Sequence, residues 1–532
     1  MTAALPEHYP IPRTPHLAGE YPGHRHDPAV VAARVDALLG AGVTLFVDLT
    51  EPVDWLVDYA PVLAARARDR AVTHVRHAIP DGGATTDAHL REIVALLDRA
   101  AAEGTRAYVH CWGGIGRTGM VVASLPVRRG LTVDEALAAV AAGFASMPKS
   151  ARPRHAHRTS PEAACQVEAV HRFAAFEARR HRTLGAILGG AIGDALGWPV
   201  EFESLARIRA THGDDGVTEL RADPALGAAA ITDDTQMTLF TAEGLLAGLA
   251  AARRTGGDVR AAVHDAMVAS HRRWHATQRR GAPAAARDDA GWLLRIPALH
   301  ADRAPGLTCM GALARHDFGA PAMNDSKGNG GVMRVAPCGL VASLSGDDAW
   351  AIACATARLT HGHPSGWLAA GAFAVMIRTL LDGATIAVAT EAARGHLRAV
   401  IAQEPLARET LDALDAGEAL VARHPLPTAE QLETLGEGKV AEEALGMAVA
   451  CALVGERTGD VALALRLAVN HSGDSDSTGS IAGQLLGTRL GVEALPVRWR
   501  DGVELRAVLA RVAEDLAAER VDDDAWGALA RA

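Results

Sequence analysis

The sequence predicts a multidomain protein: an N-terminal α/β domain, with a central, mostly parallel sheet flanked by helices, followed by a larger all-α domain. Three observations carry this. The chain has 532 residues, more than one domain at roughly 100 to 200 residues each. Up to about residue 180, short β-branched runs alternate with helical stretches, whereas beyond it long Ala/Leu/Val segments follow one another at helical spacing. Only 4% of the residues are aromatic although 49% are hydrophobic, which implies cores of closely packed small side chains.

In chain order, Val43 to Leu49 and Arg106 to His110 read as strands, and Asp87 to Ala102 and Val133 to Ala142 as helices. Between residues 149 and 182 the composition turns basic. Eight Lys or Arg (Lys149, Arg152, Arg154, Arg158, Arg172, Arg179, Arg180 and Arg182) stand against Glu162, Glu168 and Glu177, a local charge of +5. This stretch reads as a solvated linker and helix, with an acidic partner as the alternative. Ser160-Pro161-Glu162 has the order of an N-cap, a first-turn proline and an acidic first turn, which predicts a helix over 161–178. The boundary is placed near residue 181, giving domains 1–181 and 182–532. Beyond it, helices are expected at Asp258 to Thr277, Trp367 to Leu381, Val440 to Val454 and Asp460 to Val469.

The formal charge of −10 argues against bulk binding to nucleic acid or an anionic membrane, since both need a positive face. Lys occurs only at 149, 327 and 439, so the positive charge is nearly all Arg, in an Ala- and Gly-rich background that reflects a GC-rich genome. The six cysteines include no CxxC pair and read as reduced thiols. The N-terminal segment lacks the pattern of a signal peptide. The longest apolar stretch, Gly366 to Ile377, falls short of the ~18 to 20 residues that span a bilayer. The expectation is a cytoplasmic protein without a membrane partner.

The first constellation of chemistry is His110-Cys111-Trp112-Gly113-Gly114-Ile115-Gly116-Arg117-Thr118-Gly119, a loop between a strand and an apolar helix beginning near Thr118. Glycines let the backbone N–H groups of Trp112 through Arg117 turn inward around phosphate oxygens, beside the positive end of a helix dipole. That field favours the Cys111 thiolate as nucleophile. The Arg117 fork can bind two phosphoryl oxygens, and the Thr118 hydroxyl can donate to the sulfur. A departing oxygen needs a proton, and Asp81, in the rigid turn Ile79-Pro80-Asp81-Gly82, is the candidate general acid. With Leu17 to Gly23 and Val47 to Thr50, this pattern resembles the cysteine-dependent protein phosphatases of the compact dual-specificity-like group over residues 9 to 178.

The second constellation is carboxylate. Thr232-Asp233-Asp234-Thr235 and Asp474-Ser475-Asp476-Ser477-Thr478 bring adjacent acids together with hydroxyls and without His or Cys. Acids buried together repel unless a cation compensates, and an all-oxygen donor set suits Mg²⁺ or Mn²⁺ better than zinc. A solvated acidic loop would have the same spacing. The surrounding blocks change that balance: Gly185 through Gly197, including Asp194, then Glu201, ITDDTQMTL, Gly328-Asn329-Gly330-Gly331 with Met333-Arg334, Thr360-His361-Gly362-His363-Pro364, and HSGDSDSTGSIAGQLLG. In that order they resemble the ADP-ribosylglycohydrolase family over residues 182 to 518.

The resemblance implies a compact all-α fold with two magnesium ions held by Thr232, Asp233, Asp234, Asp474, Asp476 and Ser477. Position 477 departs from members that carry Thr there. It further implies Glu201 as a catalytic glutamate near the metals, and an ADP-ribose site lined by Asn329, Gly330, His361, Ser472 and Gly473. No cofactor is expected in the phosphatase domain.

The leading reading is a bifunctional hydrolase. Its partners would be an ADP-ribosylated protein or ADP-ribose-containing small molecule, and a phosphorylated protein or small molecule. Two alternatives stand beside it: both sites process one phosphorylated ADP-ribose metabolite, or the N-terminal domain only captures phosphorylated partners. The acceptor linkage, the phosphatase substrate, the oligomeric state and the choice of general base among Asp233, Asp234 and Glu201 stay open at the level of sequence.

Overall fold

The computed structural model describes residues 5–24, 26–54, 56–68, 70–278, 291–315 and 317–531. The chain divides into two compact units, Met1–Ala178 and Arg179–Ala532.

In the first unit, five strands form one sheet: β1 His8–Pro10, β2 Leu17–Gly19, β3 Val43–Asp48, β4 Thr73–Arg76 and β5 Arg106–His110. Their order is β1-β2-β5-β3-β4, and only the β1–β2 pair is antiparallel. The alternation of side chains along β3 and β5 builds two cores. Val47 and Val109 face Met120, Val121 and Ile93 on one side, whereas Phe46 and Tyr108 face Val35, Leu38 and Leu63 on the other. Because β5 is central and Asp48 pairs in register with His110, the loop that leaves β5 emerges mid-sheet at the carboxyl ends of the strands. That is where parallel sheets bind ligands.

The helices Asp87–Ala102 and Val133–Ala145 lie where the sequence places them, the second starting in a capping box of Thr132 with Glu135. The helix expected over 161–178 is different. It begins at Ala164 and runs to Gly197. Ser160-Pro161 is a cis peptide, and the Ser160 hydroxyl donates to Ile115 O at 2.7 Å instead of capping a helix. The Gln166 carboxamide oxygen takes over, accepting from the backbone N–H of Glu162 (3.1 Å) and Ala163 (3.0 Å).

The second unit is helical; among its described residues extended pairing is limited to isolated bridges. Helices Val259–Thr277, Pro364–Leu381, Ala441–Thr458 and Val461–Val469 match the apolar segments of the sequence. Pro364–Leu381 is long and apolar enough to cross a membrane by length and composition, and 83% of it is buried within the protein. One packing event governs the site. Gly185, Gly189 and Gly193 of the Ala164–Gly197 helix lie against Gly487, Gly483 and Gly479 of the Ser475–Leu490 helix, and a Cβ on any of the first three would overlap the facing glycine's carbonyl oxygen. Glycine at every fourth position thus lets the two backbones touch. The contact continues from Gly197 to Ser475, at the end of the second helix that carries Asp474 and Asp476.

Candidate functional site

In the phosphatase-like unit, β5 ends at His110, and the loop from Cys111 leads into the helix Gly116–Arg128. This helix starts two residues earlier than the sequence suggests. Gly114 has φ +67°, and a Cβ there would strike the backbone of Gly19, so only glycine fits this turn. At Gly116 a Cβ would come 2.9 Å from the Gln166 carboxamide. Cys111 is a free thiol, 3% exposed.

Arg117 is 1% exposed and splits its guanidinium. Nη1 donates to Asp54 Oδ2 at 2.7 Å and to Ile79 O at 3.0 Å. Nε and Nη2 have no hydrogen-bond acceptor, although the Asp81 carboxylate lies 2.9 Å from Nη2 as an ion pair. The edge that matches two phosphoryl oxygens therefore carries no hydrogen bond, and its Nη2 is met by the carboxylate of Asp81, which is 65% exposed. One expectation fails. The Thr118 hydroxyl donates to no sulfur; Thr118 is fully buried in the helix's first turn and its Oγ1 has no partner.

Beneath the loop, burial pushes His110 down to about 4, so the ring is neutral at pH 7. Its Nε2 meets the Tyr59 hydroxyl at 2.7 Å. Burial alone would raise the Asp48 carboxyl, but His74, His110 and the hydroxyl and N–H of Thr50 hold it below the usual carboxylate range.

The loop opens into a cavity of about 510 Å³ whose lining includes Asp81, Cys111 through Gly113 and Ile115 through Arg117. Lys149, Arg152, Arg154, His155 and Arg158 line it too: the chain after Ala145 returns to the cysteine loop at the buried Lys149, while Arg152, Arg154 and Arg158 stay exposed, as a solvated segment would have them. The Lys149 ammonium, 4% exposed, donates to Gly113 O at 2.5 Å and pairs with Glu20 at 3.1 Å. Sequence reasoning missed Asp54, Lys149 and Gln166 as parts of this site, because their partners lie tens of residues away.

In the helical unit, two helix N-termini present the carboxylates. Thr232 caps the Asp233–Thr255 helix, its Oγ1 accepting from Asp234 N at 3.3 Å. Asp474 stands at the N-cap of the Ser475–Leu490 helix, with Asp476 in its first turn. The positive ends of both helix dipoles favour anions there. The Ser477 hydroxyl donates to Asp234 Oδ2 at 3.3 Å, and Asp233 Oδ2 accepts from Gly306 N at 3.0 Å. One oxygen each of Glu201, Asp474 and Asp476 lie within 4.8 Å of one another.

Burial, followed by mutual repulsion, raises these acids: Glu201 to about 8, Asp233 to about 7, and Asp234 and Asp476 well above the ordinary range. Asp194, quoted in a glycine block and assigned no role by the sequence, sits fully buried among them and is pushed up to about 6 by burial. It accepts from the N–H of Thr232 (3.0 Å) and the N–H of Thr235 (3.2 Å), fixing the turn that carries Asp233 and Asp234. A lone carboxylate inside an apolar, glycine-rich helix was the signal for it.

The donor set fits a hard divalent cation. Asp234 Oδ1 and Asp474 Oδ1 are buried without any hydrogen-bond partner, and uncompensated buried carboxylate oxygens are costly unless a cation meets them.

Ser472 and Gly473 hold the Glu201 turn in place: Ser472 Oγ accepts from Leu205 N at 2.9 Å, and Gly473 O from Phe202 N at 2.7 Å. Asn329, Gly330 and His361 form a neighbouring group. Asn329 Nδ2 donates to Gly438 O at 2.8 Å, and a Cβ on Gly330 would come 3.2 Å from the His361 ring. His361, 1% exposed, is pushed down to about 3 by burial and then by Arg334. Met333 links this group to the acids, its N–H donating to Asn329 O at 3.1 Å and its sulfur lying 3.8 Å from Ser477 Oγ.

Comparison with known proteins agrees with both halves. The sequence profile described as ADP-ribosylglycohydrolase matches residues 175–525, and that of the Swiss Army Knife protein, DSP-PTPase phosphatase domain, matches 26–174. The chain is 25% identical over 335 residues to the ADP-ribosyl-[dinitrogen reductase] glycohydrolase of Rhodospirillum rubrum, covering 61% of this chain and 91% of that protein. It is 29% identical over 344 residues to an uncharacterized protein of Archaeoglobus fulgidus, covering 62% and 94%. Among solved structures, an ADP-ribosylglycohydrolase-related protein complex matches at 27% identity and TM-score 0.40, covering 64% of this chain and 98% of that one. Tk-PTP in its active form matches at 22% identity and TM-score 0.25, covering 32% and 98%. The chain belongs to the ADP-ribosylglycohydrolase family and carries, ahead of that hydrolase, a phosphatase domain of the DSP-PTPase type.

Proposed function

We propose that the chain is a bifunctional, cytoplasmic hydrolase. Its helical unit is a Mg²⁺-dependent glycohydrolase that cleaves the bond between ADP-ribose and an acceptor, a protein side chain such as arginine or a small molecule. Its α/β unit hydrolyses phosphate monoesters through a cysteinyl-phosphate. The observation that carries the first activity is the buried acid cluster with partnerless oxygens on Asp234 and Asp474. The Nε/Nη2 edge of Arg117, without a hydrogen-bond acceptor and beside both Asp81 and the Cys111 loop, supports the second.

In the phosphatase step the Cys111 sulfur forms a bond to phosphorus as the ester P–O bond breaks, and Asp81 gives its proton to the departing oxygen. Arg117 and the loop N–H groups hold the three other oxygens. Water then attacks phosphorus, Asp81 takes its proton back, and the thiolate leaves.

In the glycohydrolase, Thr232, Asp233, Asp234, Asp474, Asp476 and Ser477 would hold the cations, which when bound supply positive charge for orienting the ribose hydroxyls and a water. At C1 a water oxygen bonds as the glycosidic bond breaks; a carboxylate of Asp233, Asp234 or Glu201 accepts the water's proton, and the acceptor departs with the bonding pair and takes up a proton from another of these groups. Asn329, Gly330 and His361 line the ADP-ribose side.

The test separates the two. Chelation of purified protein abolishes ADP-ribose release from ADP-ribosyl-arginine and leaves p-nitrophenyl phosphate turnover intact, whereas Cys111→Ser does the reverse. Loss of both activities in either arm contradicts the proposal.

A further inference from the structure

The cysteine loop and Arg117 account for one phosphoryl group, yet the cavity above them carries more positive charge than one phosphate requires. Five fixed cations, among them Lys149, Arg152, Arg154 and Arg158, line it against the carboxylates of Glu20, Asp81 and Glu162. Lys149 and Arg152 are spoken for by Glu20 and Glu7. Arg158 pairs with Glu162 at 3.1 Å, with both side chains about 40% exposed, an arrangement worth little in water. Arg154 makes no ion pair among the described residues.

All four line one cavity with His155. His155 Nδ1 is buried without a hydrogen-bond partner, and its ring is held below its ordinary value by burial and then by Arg154, Arg158, Lys149 and Arg152. A cleft with an excess of positive charge draws in an anion.

We propose that this wall is a second anion subsite, centred on Arg154 and Arg158. It selects small-molecule phosphate monoesters that carry a further phosphate or pyrophosphate group; this rests on the phosphatase reading above. A small molecule fits better than an acidic phosphopeptide. The reacting Cys111 and Arg117 lie at 3% and 1% exposure, and beside the cavity is a second one of about 500 Å³ whose lining shares Glu20, Trp112, Arg152 and Arg154. Both volumes are of the size that encloses small ligands.

The test compares adenosine 5′-monophosphate with adenosine 3′,5′-bisphosphate in the full chain, with p-nitrophenyl phosphate as a control for an active site. Wild-type kcat/KM for the bisphosphate exceeds that for the monophosphate by on the order of tenfold, through KM, the scale of one charge-assisted contact. In the Arg154→Ala/Arg158→Ala double variant that ratio falls toward one, and Arg154→Lys retains part of it. A wild-type ratio near one, or a ratio that the double variant leaves unchanged, overturns the subsite. So does a preference confined to Asp-flanked over neutral phosphotyrosyl peptides, which would make the wall a protein-docking surface. Absence of p-nitrophenyl phosphate turnover removes the phosphatase reading alone. Calorimetry then decides the subsite: wild type binds inorganic pyrophosphate more tightly than orthophosphate and the double variant loses that margin, whereas equal margins overturn it.

Discussion

Arg117 hydrogen-bonds the protein through one guanidinium nitrogen and turns the opposite edge, ion-paired only with the exposed Asp81, toward the cysteine cavity. Lysine has one ammonium for both tasks. Arg117→Lys therefore lowers kcat for p-nitrophenyl phosphate by on the order of a hundredfold or more, the scale of losing one transition-state donor; retention of more than a tenth of wild-type kcat would contradict the assignment. His110 makes a prediction about pH. Its pKa falls from 6.5 in the unfolded chain to about 4 in the fold. Between those values the unfolded state takes up a proton that the native state refuses, so stability drops as pH falls, by about 1.4 kcal/mol per unit and about 3 kcal/mol in all. Urea unfolding between pH 6.5 and 4 should show a shallower acid-side loss in His110→Asn than in wild type. At this scale the sequence was legible where neighbours along the chain are neighbours in space. Cys111, Arg117 and the turn of Asp81 declare themselves by local spacing and come to line one cavity. Asp54 and Lys149 do not, since nothing in a single sequence says that Asp54 meets Arg117 or that Lys149 meets Gly113.

Among elements, the paired glycine helices decide most. Gly185, Gly189, Gly193 and Gly479, Gly483, Gly487 each repeat every fourth residue, a pattern visible in the sequence, but their facing one another is a tertiary fact. Replacing Gly193 by valine sets a branched side chain against the Gly479 backbone. Overpacking of this kind costs about 1 to 3 kcal/mol, and here it also pushes apart the ends that carry Asp194 and Asp476. The expected outcome is a lower melting temperature together with weaker Mg²⁺ binding, read by calorimetry; weaker metal binding at an unchanged melting temperature would contradict the packing argument. The misread helix start at 161 has a comparable cause: Ser-Pro-Glu is a sound local N-terminus signal, yet the Ser160 hydroxyl is drawn to Ile115 O and Gln166 takes the N–H groups of Glu162 and Ala163, so the helix starts at Ala164.

For the whole molecule, the two-part architecture and the helical character of the larger part were legible from the change in periodicity near residue 180, whereas the basic segment after Lys149 was not. Charge alone does not show that solvated arginines also rim a cavity; the return of the chain to the cysteine loop does. The acid cluster yields the prediction at this scale. Mg²⁺ should raise the melting temperature of the full chain in a concentration-dependent way, because an ion that binds only the folded state stabilises it by mass action. Asp474→Ala should abolish most of that rise, and an equal rise in the variant would mean that the ion binds elsewhere.

The glycine contact also bears on how such a site can change over time. The gap between the aspartate-bearing ends is gauged by main chain against main chain, so it does not depend on any side-chain volume. Substitutions in the core away from the contact leave this calliper alone, and the side chains at its tips do not set its width. The calliper itself tolerates almost nothing: a single methyl group at its jaws opens it. Mutational scanning of this chain should therefore find the inner glycines less replaceable than several of the oxygen donors they position.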